Sequence, residues 1–241
     1  MQLLDILVNG KEILYPITFK EGETYSSMVL TLRKNPNIIK TLTNLNEKKI
    51  LTKIGAKEDF IEGIFFPDTY YFHRNTTDVE ILKNAYQVMQ AKINFLWENR
   101  TSNLPYKNSY EALIIASIIE KEVGIKEEAA EIAGVFVNRL FKGMRLQSDP
   151  TVIYGMGEKF KGNIRRADLK KDNKFNTYTR KGIPPSPIAL SSYNSLEAAL
   201  NPATTENLYF VAKGNRRHKF SKTLKEHNKA VYKYQKKRKR K

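Results

Sequence analysis

A chain of 241 residues, 41% of them hydrophobic, is long and apolar enough to bury a core, which excludes a disordered polymer. Its 42 Lys and Arg against 25 Asp and Glu give a formal net charge of +17, so the surface either draws an anionic partner or is simply a solvated basic face. Cysteine is absent, which excludes disulfides and thiolate metal sites and suits an oxidising compartment.

Two short β-branched runs, "LLDILVNG" and "ILYPITF", flank the Asn9-Gly10 turn signal, and "EGETYSSMVLTLRK" follows with a helical pattern. Residues 1–60 therefore read as a small α/β unit. "EGIFFPDTYYF" (62–72) is too aromatic, and too interrupted by Pro67, for a helix; strand, turn, strand is expected. After Thr77 or Asp78, either of which can cap, Val79, Leu82, Tyr86, Met89, Ile93 and Leu96 recur at spacings of three and four and predict one long amphipathic helix.

The polar stretch "TSNLPYKNS" separates this helix from another that begins after Ser109 and stops at Gly124. A further helix, with Glu127 and Glu128 in its first turn, is expected to reach Phe141 and stop near Gly143. Beyond it "RLQSDPTVIYGMGE" and "FNTYTRKGIPPSPIALSS" read as loops. A short helix "SLEAAL" ended by Pro202, a strand "LYFVA" and a last helix through "HNKAVYKY" complete the chain before the basic tail 233–241. That tail can be a solvated end or can touch anionic lipid or nucleic acid. No apolar run approaches the ~18 residues of a membrane span, and no basic-then-apolar leader opens the sequence.

The chemistry concentrates in "ASIIEKEVG" (116–124), where two glutamates end an aliphatic run. At about 100° per residue, with Ile115 at zero, Glu122 falls near 340° beside Ile118 and Ile119, whereas Glu120 falls near 140° on the more polar side. Glu122 is the one exposed to desolvation, which raises a carboxyl pKa and makes a general acid usable near neutral pH. The bland alternative is a helix-end carboxylate turned to solvent or paired with Arg139. His73, His218 and His227 lack ligand spacing, so no metal or other cofactor is expected. No Ser lies in a nucleophile elbow, and no aromatic-and-Arg module indicates nucleic-acid binding.

"IEGIFFPDTYYF", "ASIIEKEVG", "VFVNRLFKGMRLQSDPTVIYGMGE", "FNTYTRKGIPPSPIALSSYNSLEAALNPA", "LYFVAKGN" and "HKFSKTLKEHNKAV" occur in one order. Together, over roughly residues 15–235, they resemble the YceG-like (MltG) endolytic murein transglycosylases. The resemblance implies an α+β protein: a truncated N-terminal LysM-like subdomain (1–60), then a mixed α/β catalytic domain (61–232) with its glutamate at a helix end. It implies cleavage of the bond between N-acetylmuramic acid and N-acetylglucosamine inside nascent peptidoglycan strands. Glu122 is the aligned catalytic residue and Glu120 the fallback.

Family members carry a membrane anchor that precedes the point where this chain starts. The implied setting is the periplasmic face of the inner membrane, with cell-wall synthesis proteins as partners. Phe175 and Ser186 stand where the family pattern more often has Tyr and Gly. Candidate substrate contacts on the loops are Gln147, Asp149, Asn176 and Tyr178. Asp149 can instead make an Asx turn before Pro150, and Asn176 and Tyr178 can instead staple a loop. His218 touches substrate or makes a structural hydrogen bond, and Pro184, Pro185 and Pro187 stiffen a cleft wall. The rival reading is a catalytically silent peptidoglycan-binding module.

Overall fold

The computed structural model describes residues 13–236. The expected first strand with Asn9-Gly10 and the end of the basic tail lie outside them. In chain order the elements are β1 (Leu14–Thr18), α1 (Tyr25–Lys34), α2 (Glu47–Ile54), β2 (Thr69–His73), α3 (Asp78–Glu98), α4 (Ser109–Glu122) and α5 (Ala129–Phe141). Then follow α6 (Asp149–Met156), α7 (Arg166–Lys170), α8 (Tyr193–Leu200), β3 (Tyr209–Gly214), β4 (Arg217–Ser221) and α9 (Leu224–Val231). The class is mixed α/β, with helices forming the body and, among the described residues, two small antiparallel sheets.

The long helix α3 forms as its stripe predicts. Thr77 is the cap: it accepts from the Glu80 N–H while Glu80 reaches back to the Thr77 N–H, so two orphan donors are satisfied at once. Asp78, the alternative cap, is buried instead and accepts from the Thr41 and Leu42 backbone N–H groups and the Thr41 hydroxyl. The β1–β2 ladder pairs Leu14 with His73 and Thr18 with Thr69. Ladder and Asp78 clamp both cross the expected boundary at 60/61, and one continuous core runs from Ile17 to Leu200.

"EGIFFPDTYYF" departs from its expected strand, turn, strand. Only 69–73 is a strand, while Ile64 and Phe65 are fully buried in an irregular turn. Gly63 makes that turn possible: at φ 73° a side chain is strained, and a Cβ there would lie 2.3 Å from the Pro187 Cβ. The segment carrying Pro187 therefore packs backbone-close against the aromatic turn.

Helix α4 is the central element. Asn108 caps it by accepting from the Glu111 N–H, and every residue from Ala112 to Ile119 is buried between α5 and α8. Only its last turn emerges, which brings Glu120 and Glu122 to the edge of the core. The segment after α5 was expected as loop, yet α6 and the short α7 form there, and β4 completes a hairpin with β3. Ser148 followed by Asp149-Pro150 is a helix start in which Pro occupies the first turn, so the same residues that suggest a loop open α6.

Candidate active site

A cavity of about 530 Å³ opens at the end of α4, walled on one side by Glu122, Gln147, Asp149 and Tyr178 and on the other by the β3–β4 hairpin and α9. Glu122 arrives there because α4 stops: Val123 takes an extended conformation and the last turn is left at the cavity wall. Its carboxyl pKa is raised from 4.5 to about 7. Burial is the main cause, and the negative charge of Asp149 adds to it; a hydrogen bond from Ser148 and the positive charge of Arg139 pull the other way. The Ser148 hydroxyl donates to Glu122 Oε1 at 2.6 Å. Near neutral pH this carboxyl can hold a proton and can also lose it.

Glu120 is differently employed. Its Oε2 accepts from the Ser192 N–H at 3.0 Å, the Ser192 hydroxyl at 2.5 Å and the Ser195 hydroxyl at 2.6 Å. Ser192 is the N-cap of α8, so this carboxylate fastens the start of α8 to the end of α4 and does not line the cavity.

Arg139 is almost wholly buried and was expected, if at all, as an ion-pair partner of Glu122. Its Nε donates to the Leu208 carbonyl at 2.7 Å and its Nη1 to the Leu146 carbonyl at 2.6 Å. The guanidinium, 5.3 Å from the centre of the Tyr209 ring, thus ties the hairpin to the loop before α6. Burial lowers its pKa, and the nearby Glu122 opposes that shift.

The loop candidates separate. Gln147 lines the cavity at φ 50°, a left-handed conformation uncommon outside glycine, and its N–H donates to the Thr177 carbonyl. Asp149 also lines it and accepts from the Tyr178 hydroxyl at 2.5 Å. Burial and the Asp149 carboxylate both raise the Tyr178 pKa, so its phenol stays protonated.

Asn176 does not line this cavity and is bonded within its own loop. It is fully buried, donates to the Lys171 carbonyl at 2.8 Å and accepts from the Tyr178 N–H at 2.8 Å. Its amide is occupied inside the loop, which is the stapling arrangement weighed for it beside substrate contact.

His218 lines the cavity, yet its Nδ1 lies 2.8 Å from Glu128 Oε2, and Glu128 also accepts from the His218 N–H. The structural hydrogen bond weighed for this residue is therefore formed, with the ring standing at the cavity wall. Ser148, Tyr209 and Phe210 escaped the sequence reading, and His227 was weighed there only as a metal ligand. His227 stacks on Tyr209 with ring centres 5.2 Å apart, and burial depresses its pKa. The hairpin that carries Tyr209 and Phe210 could be found only by pairing "LYFVA" with the basic, weakly strand-like "RHKFS".

Fold and site together define a class: a mixed α/β domain that presents a desolvated carboxyl, Glu122, in an open, aromatic-walled groove. The sequence matches the YceG-like family over residues 1–233, and the chain belongs to that family. It is 44% identical over 177 residues to a Bacillus subtilis protein named endolytic murein transglycosylase, covering 72% of this chain and 48% of that one. A Streptococcus pneumoniae protein of the same name is 34% identical over 198 residues, covering 80% of this chain and 33% of that one. The chain thus spans between a third and half the length of these relatives. A crystal structure of a YceG-like protein from Listeria monocytogenes superposes with a TM-score of 0.70 at 30% identity, covering 95% of this chain and 79% of that one. Among the described residues no helix is long and apolar enough to cross a membrane.

Proposed function

We propose that this protein is a lytic transglycosylase that cuts peptidoglycan glycan strands internally, with Glu122 as its one acid and base. The observation that carries the reading is the Glu122 carboxyl, held on the cavity wall with its pKa raised to about 7. Hydrolytic glycosidases generally need two carboxylates, the second to act as nucleophile or to activate water. A transglycosylase needs only one, because its nucleophile is already in the substrate.

In the proposed reaction protonated Glu122 gives its proton to the oxygen bridging N-acetylmuramic acid to N-acetylglucosamine, and the bond from that oxygen to the muramic C1 breaks. The resulting carboxylate takes the proton from the muramic C6 hydroxyl, whose oxygen closes on C1 of its own ring. Glu122 ends protonated, as it began, and the product is a 1,6-anhydromuramic end. Ring closure within one sugar removes the entropy cost of bringing in a nucleophile. Gln147, Asp149, Tyr178 and His218 hold the strand, and the charge of Asp149 favours both the protonated acid and the cationic sugar.

The substrate would be met outside the cytoplasmic membrane, at the periplasmic face of the inner membrane, beside the cell-wall synthesis proteins. Residues 1–60 would contribute a LysM-like part, 61–232 the catalytic part and 233–241 a basic tail. Turnover of purified uncrosslinked glycan strands separates the enzyme from a silent binding module. The wild-type chain shortens the strands and Glu122→Gln does not, with far-UV circular dichroism unchanged. Binding without shortening by the wild type would leave only the module.

A further inference from the structure

We propose that Ser148 is the positioning residue of the site: its hydroxyl holds Glu122 Oε1 and so leaves Oε2 as the oxygen that exchanges the proton with the sugar. This rests on the reading of Glu122 as acid and base, and it stands on three features of the turn between α5 and α6.

The first is a forgone cap. Ser148 occupies the N-cap of α6, where a serine hydroxyl ordinarily accepts from an N–H of the first turn and contributes about 1 kcal/mol. Here no side-chain cap bond forms, and the hydroxyl donates to Glu122 at 2.6 Å. The local helix is left less stable so that the hydroxyl can reach a carboxyl 26 positions away.

The second is the rigidity of the donor. Ser148 is 1% exposed, its N–H donates to the Thr177 hydroxyl at 3.0 Å, and its carbonyl accepts from the Thr151 hydroxyl at 2.7 Å. Thr151 and Thr177 are themselves joined at 2.9 Å. A serine fixed on both sides of its Cα can aim its side chain in few directions. The third is Gln147, whose φ of 50° turns the chain immediately before Ser148. A non-glycine residue in that region is a local strain that the surrounding bonds must hold.

A short, charge-assisted bond to one oxygen restricts how the carboxyl plane can turn and leaves Oε2 as the oxygen available to a sugar in the cavity. The bond also favours the carboxylate over the acid, which tempers the effect of burial and keeps Glu122 able to release its proton.

The test compares wild type, Ser148→Ala, Ser148→Thr and Glu122→Gln on glycan strands across pH, with a carbon-13 NMR titration of the Glu122 carboxyl in the folded proteins. Ser148→Ala should lower kcat on the order of ten- to a hundredfold with KM nearly unchanged, and should move the high-pH limb of activity and the carboxyl titration to higher pH. Ser148→Thr, which keeps the hydroxyl, should hold the titration where the wild type has it. An unmoved limb and titration in Ser148→Ala, beside an inactive Glu122→Gln, overturns this inference alone. Turnover by Glu122→Gln overturns the reading beneath it as well.

Discussion

Glu120 and Glu122 stand two positions apart on one helix and do opposite things: Glu120 Oε2 gathers three donors from Ser192 and Ser195, while Glu122 ends at the cavity with Ser148 as its hydroxyl partner. Exchange of each for glutamine should therefore separate stability from activity. Glu120→Gln weakens the join between α4 and α8, lowering stability by about 1–3 kcal/mol while the folded fraction still turns over. Glu122→Gln should cost about 10²-fold or more in turnover, with no loss of folding free energy at neutral pH. Denaturant unfolding and strand-shortening assays on both variants check the division, and the reverse pattern would make Glu120 the acid.

The same carboxyl predicts how activity depends on pH. An acid whose pKa lies at about 7 is protonated below that value, so kcat/KM should fall as pH rises through about 7. Stability should follow the same group. Its folded pKa is raised above the 4.5 of the free carboxyl, so its contribution is complete below 4.5 and is lost as pH climbs through about 7. In Glu122→Gln that slope should be absent between those two values. A wild type and variant with parallel stability profiles would contradict the burial of this carboxyl.

Gly63→Ala should destabilise the protein by about 2–4 kcal/mol, since the new Cβ would meet the Pro187 ring and the Ala189 carbonyl while φ stays positive. Thermal unfolding measures it. A change within the error of the wild type would mean that the segment carrying Pro187 can move off the aromatic turn.

The basic tail makes a separate prediction. Removal of Lys236–Lys241 should weaken retention on anionic vesicles or sacculi more at low salt than at high, because exposed charges are screened over about 8–10 Å at physiological ionic strength. A salt profile identical to that of the full chain would leave the tail without a binding role.

Much of this arrangement is legible in the sequence where one period or one motif decides it. The stripe from Val79 to Leu96 gives α3, and the 100° step along α4 alone separates Glu120 from Glu122. What stays hidden is what depends on partners distant in the chain. From sequence Asn176 reads equally as a ligand contact or a loop staple, and only the fold shows its amide bonded to Lys171 and Tyr178. Arg139 looks like an ion-pair partner until Leu208 and Leu146 take its donors. Ser148 is hidden because a serine before Asp-Pro is ordinarily a cap, and only the fold turns it toward Glu122. Ile64 and Phe65 have strand composition, yet they are buried in a turn that Gly63 permits.

The central claim is that one carboxyl both gives and takes a proton while the sugar supplies its own nucleophile. Mass analysis of the products from uncrosslinked glycan strands, digested in isotopically labelled water, tests it most directly, because anhydro and reducing ends differ by one water. The account predicts 1,6-anhydromuramic ends without label at every pH where turnover occurs. Reducing ends carrying the labelled oxygen would contradict it and would require a second carboxylate to activate water, with Asp149, already at the cavity wall, the first to replace.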